Sequence, residues 1–280
     1  MPKNAILTLT CALAAAGALV LLPAPTATAA AAATLPAVNM EATVKAAQID
    51  PRRADETTTA GAKASVLLVE KALAAKHLLD AQWVDGYFGT KTVDAYAKYQ
   101  QSLGYTGLAA NGLPGKASLT SLGSRRFTVT HVITPGARVQ RDGVTINTRT
   151  SQMLAQAQRL LGRTLVLSQG SYNPGGDASS AGTHDGGGVV DISVTGMSSA
   201  TRVAVPKVLR QVGFAAWVRN PSQGDWPFHI HAAAINDTDL SSQAQHQVGD
   251  YYLGLNGLAN RAADDGPRVP IRTWEEYQRS

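Results

Sequence analysis

Two short clusters hold the residues with the clearest chemical potential. The first, Gly182-Thr183-His184-Asp185-Gly186-Gly187-Gly188-Val189-Val190-Asp191, sets His184 and Asp191 seven residues apart across a run of glycines. Such a bend allows close approach of the backbone and can fold an imidazole and a carboxylate toward one point, and both are sound zinc ligands. The second is Asp225-Trp226-Pro227-Phe228-His229-Ile230-His231. On a strand alternate side chains share a face, so His229 and His231 would look into one site while Phe228 and Ile230 pack the other way. Pro227 just upstream agrees with an extended start. Taken singly, either cluster is common in ordinary surfaces and cores. Together they supply a His/Asp/His set with one position open, which a catalytic zinc needs to hold and activate water. The expected cofactor is therefore Zn2+. His77, His131 and His246 have no such company and read as structural or surface residues.

Other chemistries lack their signatures. The chain has no H-E-x-x-H helix, no G-x-S-x-G elbow and no phosphate loop ending in Gly-Lys-Ser/Thr. Its one cysteine, Cys11, lies in an amino-terminal apolar run, so a processed chain would have neither disulfide nor thiolate. Spacing alone does not exclude a carboxylate-pair glycosidase, but nothing favours one.

The pattern H-x-x-G-x-x-x-D, followed some forty residues later by H-x-H, resembles the zinc D-Ala-D-Ala carboxypeptidases, the related peptidoglycan endopeptidases, and the Hedgehog signalling domain that shares their fold. By that resemblance His184, Asp191 and His231 are the metal ligands, and His229 hydrogen-bonds the substrate carbonyl or its developing oxyanion. A general acid/base is also required. Asp225, six residues before His231, is the candidate, because the Hedgehog-like pattern carries an acid at about that interval. The chain departs from the family at Gly182, where a Ser is usual two residues before the first ligand.

Elements able to position these residues can be read along the chain. Lys3, the apolar run Ala5 to Leu22 and Ala27-Thr28-Ala29 have the form of a secretory signal over residues 1–29. Residues 30–61 are Ala/Thr/Pro-rich and read as a flexible linker with one short helix near Met40 to Ala47. From Val66 apolar residues recur at helical spacing. Asp85-Gly86-Tyr87-Phe88-Gly89-Thr90-Lys91-Thr92 then forms a glycine turn whose Thr residues could cap the next helix, and Asn111-Gly112-Leu113-Pro114-Gly115 repeats the logic. Helix, D-G-x-F-G-x-x-T, helix with Tyr99-Gln100, and a second glycine turn resemble the three-helix peptidoglycan-binding domain of wall hydrolases, over residues 62–123. Beyond it, residues 124–280 read as an α+β domain. Its strands are expected at Phe127–Ile133, Val144–Asn147, Thr164–Ser168, Val189–Val194 and His229–Ile235, and its helices at Ser151–Leu161 and Ala200–Val212, with Pro206 kinking or starting the latter.

The expected fold class is thus α+β: a small three-helix bundle followed by a zinc-peptidase domain with a mainly antiparallel sheet. The expected activity is hydrolysis of an amide bond in peptidoglycan stem peptides. Export and the wall partner imply a secreted, cell-wall-associated monomer with no membrane association after signal cleavage. The net charge of +5 comes without the Lys/Arg runs that track nucleic acid, and suits an anionic envelope. The alternative is a wall-binding protein that keeps the metal fold without catalysis.

Overall fold

A computed structural model describes Met1 and residues 34–280; the rest of the expected signal segment, with Cys11, lies outside the described residues. Leu35–Ser280 form one compact unit. The fold is mixed α and β, and its main sheet is antiparallel. Among the described residues no helix is long and apolar enough to cross a membrane.

Part of the stretch expected as a linker, residues 38–50, is instead core, whereas residues 54–57 are exposed. Strand β1 (Ala37–Asn39) leads into helix α1 (Met40–Ile49), which the Asn39 side chain caps by accepting from the Ala42 N–H at 3.1 Å. Met40, Val44 and Ala47 are fully or almost fully buried. Their three- and four-residue spacing is that of a packed helix, masked in the sequence by the surrounding alanine and threonine.

Helices α2 (Lys63–Ala74), α3 (Thr90–Ser102) and α4 (Lys116–Leu122) meet through Val66, Val69, Leu73, Tyr96, Tyr99, Leu119 and Leu122. Two buried polar side chains fix the glycine turns between them. Glu70 accepts from the Asp85 and Gly86 N–H groups (3.1 and 2.7 Å) and from the Thr92 hydroxyl (3.1 Å). Gln100 donates to Leu113 O (2.9 Å) and accepts from Gly112 N–H (2.8 Å). The threonines do not cap α3 as expected: Gly89 occupies the N-cap, and Thr92 is buried against Glu70.

After β2 (Thr128–Thr130), which pairs in parallel with β1, strands β3 (Arg138–Arg141) and β4 (Val144–Asn147) form an antiparallel ribbon leading into α5 (Thr148–Leu161). The main sheet follows: β5 (Leu167–Gln169), β6 (Val189–Ser193), helix α6 (Ser199–Gln211), β7 (Phe214–Arg219) and β8 (His229–Ala234), in the spatial order β5-β6-β8-β7. Helix α6 continues through Pro206, whose missing N–H forfeits one bond to the residue four places back. Strand β7 escapes sequence reading because Phe-Ala-Ala-Trp-Val-Arg is almost continuously apolar and lacks alternation. Side chains alternate across the sheet. Val190, Ile192, Ala216, Ile230 and Ala232 face one way, into a core shared with Met153, Leu154, Val205 and Leu209 of α5 and α6. The opposite face carries Asp191, Trp217, Arg219, His229 and His231, and α7 (Ser242–Tyr252) lies along it. The carboxyl-terminal stretch ends in α8 (Trp274–Gln278), closed by a Thr273/Glu276 capping box, with Trp274 packed into the α5/α6 core.

Candidate metal centre

Strand register brings the expected ligands together. Asp191 on β6 pairs directly with His231 on β8, and Ser193 pairs with His229. Directly opposed residues point to the same side, so the alternation that presents His229 and His231 presents Asp191 as well. His184 arrives from the glycine bend. Gly188 takes φ +78°, and a Cβ there would lie 2.8 Å from the Asp237 Cβ; at Gly186 a Cβ would sit 2.2 Å from Asp239 O. Only glycine lets this bend lie against the 237–240 segment and carry His184 back over the sheet.

One nitrogen of each ligand imidazole is turned away and occupied. His184 Nδ1–H donates to Gly170 O at 2.7 Å, and His231 Nε2–H donates to Gln247 Oε1 at 2.8 Å. The inner nitrogens, His184 Nε2 and His231 Nδ1, face Asp191 Oδ1 at 3.4 and 2.9 Å, where each can donate to the carboxylate or, deprotonated, offer a lone pair to a metal. All three ligand atoms lie within 4.8 Å of one another, and all three residues are buried. A tetrahedral ion with N and O ligands at its usual bond lengths separates those atoms by roughly 3.3–3.5 Å, so the set fits such an ion after a small opening of the His231–Asp191 contact. The donor set suits zinc among divalent ions.

The shifts favour the metal-binding form at Asp191 and His231 and the charged form at His184. Burial would raise the Asp191 carboxyl, but hydrogen bonds from His184 and His231 outweigh it and hold Asp191 well below the usual carboxylate range. Burial pushes His231 down, favouring the neutral ligand form. For His184 burial is outweighed by the bond and charge of Asp191, and its pKa is raised.

The centre lies in the wall of an open cavity of about 350 Å³. His229 stands at its edge, its Nδ1–H donating to Pro227 O at 2.7 Å and its Nε2 turned inward, 3.7 Å from Asp191 Oδ1. Asp225 is not brought to the cavity: it is exposed and does not line it. The reason is local. A tight turn closed by Trp226 N–H to Gly224 O (3.0 Å) folds the Trp226 indole over Gly224, so the indole rather than the carboxylate enters the cavity wall. The carboxylate besides Asp191 that does line the cavity is Asp177, held below its ordinary range by bonds from the Ser179 hydroxyl and N–H. His77, His131 and His246 are exposed.

Sequence reasoning missed Gly170, the residue after β5, and Gln247, whose role is visible only once α7 lies over β8. It also missed Arg219 and Trp226. Arg219, almost wholly buried, stacks on Trp217 at 4.8 Å and donates from NH2 to Asn256 O at 2.9 Å; burial pushes its pKa down to about 10. Asn256 and Leu258, the latter lining the cavity, show that the carboxyl-terminal stretch helps to shape the site. Comparison with protein-family models, curated proteins and solved structures finds no match to this chain, so any functional reading rests on the site itself.

Proposed function

We propose that the protein is an exported zinc-dependent hydrolase that cuts an amide bond in peptidoglycan stem peptides. The observation that carries this reading is the convergence of His184 Nε2, Asp191 Oδ1 and His231 Nδ1, with the outer ring nitrogens hydrogen-bonded to Gly170 and Gln247, in the wall of an open cavity. A zinc ion held there would supply Lewis acidity toward a substrate carbonyl and lower the pKa of water. The chain's own residues do the rest. His184 and His231 would offer their inner nitrogens to the ion, and Gln247 and Gly170 hold the rings in orientation. His229, anchored through Pro227 O, presents Nε2 to the cavity, where its protonated form can donate to the developing oxyanion and its neutral form can accept a proton. Helices α2–α4 with their two braced glycine turns serve as the wall-binding module, raising the local concentration of polymer around the site.

A non-catalytic wall-binding protein is the second reading, favoured by one observation: Asp225 points to solvent outside the cavity. One experiment separates the two. Purified protein is assayed for bound zinc and, on isolated sacculi, for release of D-alanine or stem peptides, with and without chelator and with His184→Ala and His231→Ala. Hydrolysis that needs the metal and both histidines supports the enzyme. Stoichiometric zinc with retention on sacculi and no bond cut overturns it in favour of the second reading.

A further inference from the structure

The segment that follows β5 grips the His184 bend at three points. Gly170 O accepts from the His184 ring at 2.7 Å, Asn173 N–H donates to His184 O at 3.1 Å, and Tyr172 N–H donates to Gly186 O at 2.8 Å. Tyr172 makes this grip from left-handed backbone, φ +58°, which a bulky residue adopts only where its surroundings impose it. The side chain supplies the constraint. Its hydroxyl donates to Asp239 Oδ2 at 2.5 Å and accepts from Asn147 Nδ2 at 3.3 Å, and the Arg138 guanidinium lies over the ring at 3.9 Å. Burial, and then the bond to Asp239, push the hydroxyl above its ordinary pKa, so it stays a donor. The same hydroxyl passes so close to Gly187 that a Cβ there would lie 2.5 Å from it, and Gly187 N–H donates to Asp239 O at 2.7 Å. Tyr172, the glycine bend and Asp239 thus close a ring of contacts around the backbone that carries His184. Tyr172 does not line the metal cavity; it lines a separate groove, together with Asn111 and Lys116.

We propose that Tyr172 is a positioning residue for His184, holding that ligand in place from behind the site without touching ion or substrate. This rests on the metal-centre reading above and adds to it the device that sets one ligand. The hydroxyl ties residues 170–173 to Asp239, and those residues in turn fix Gly170 O, which orients the His184 ring so that Nε2 faces Asp191. Freeing the hydroxyl loosens His184 alone, because His231 is oriented from α7 by Gln247.

The test uses the full chain and Tyr172→Phe, which keeps the ring and its contact with Arg138 and removes only the hydroxyl. Zinc affinity is measured by chelator competition. The imidazole N–H protons of His184 Nδ1 and His231 Nε2 are followed by NMR on protein labelled with 15N-histidine, with zinc loaded and after chelation, and assigned from His184→Ala and His231→Ala. Tyr172→Phe is expected to bind zinc about tenfold more weakly, as loss of an outer partner of a ligand implies. Its His184 Nδ1–H should exchange with water at least about tenfold faster, and its His231 Nε2–H no more than about twofold faster, since only one ligand is released. Asp239→Asn should act in the same direction. The double variant should match Tyr172→Phe within about twofold, because both changes break one bond. Should Tyr172→Phe fail to fold, Asp239→Asn at an exposed position carries the test. Unchanged zinc affinity with unchanged His184 exchange, or equal acceleration of both ring protons as in general loosening, overturns the positioning role while sparing the metal centre. Native protein that takes up no zinc sinks the metal centre, and faster His184 exchange in metal-free Tyr172→Phe would still uphold the hold of Tyr172 on that ring.

Discussion

Glu70 offers a quantitative test of how the first glycine turn is held. Its carboxylate is fully buried, and three donors from the Asp85–Thr92 turn point at it. Burial raises its pKa from the ordinary 4.5 to about 7; the Gly86 N–H bond opposes this, and the nearby Asp85 charge adds to it. Because the folded value lies above the unfolded one, the stabilisation is complete below pH about 4.5 and is lost as pH rises through about 7. A change from 4.5 to about 7 corresponds to about 3 kcal/mol. Glu70→Gln removes the titration and keeps the geometry, since its amide oxygen can accept both turn N–H groups and its NH2 can face Thr92. We expect the variant to match the native protein at pH 5 within about 1 kcal/mol, and to exceed it by about 2–3 kcal/mol at pH 8.5. Urea unfolding followed by circular dichroism at pH 5, 7 and 8.5 reads this directly. Asp237, also buried and raised to about 6, slopes in the same direction in both proteins, so the difference between them isolates Glu70. Parallel stability curves for the two proteins would refute the reasoning.

The remaining predictions concern the centre. Gln247→Leu removes the acceptor that orients His231 and should weaken zinc binding by about 10–100-fold, measured by chelator competition, with little change in melting temperature. Asp225→Asn should alter zinc content and any peptidoglycan hydrolysis by less than about twofold, because the residue is exposed and outside the cavity; a hundredfold loss of hydrolysis would restore it as the general base. Gly188→Ala forces a side chain into left-handed backbone at φ +78° and against Asp237. A stability loss above about 2 kcal/mol is expected, with reduced zinc occupancy, and a variant that melts and binds zinc like the native protein would show that the bend can reshape.

Much of the centre was legible in the chain itself because it obeys short-range rules. Alternation along a strand puts His229 and His231 on one face whatever lies around them, and three successive glycines before a β-branched run mark a bend that can turn His184 back. The helical period of residues 40–49 was present too, but alanine and threonine hid it, and only burial against the rest of the core distinguishes such a segment from a linker. Other features belong to no local pattern. Whether a carboxylate four residues before β8 reaches the site depends on how one turn folds, and Trp226 packing over Gly224 sends Asp225 outward. Gln247 meets His231 only because α7 lies on the ligand-bearing face of the sheet, and Arg219 meets the cavity only because β7 pairs with β8. The sequence by itself determined which residues could ligate and that two of them share a face, since these follow from covalent geometry and period. The tertiary structure alone decided which ring nitrogens face the carboxylate, which outer partners orient the rings and which acid is turned away, since those depend on how distant parts of the chain pack.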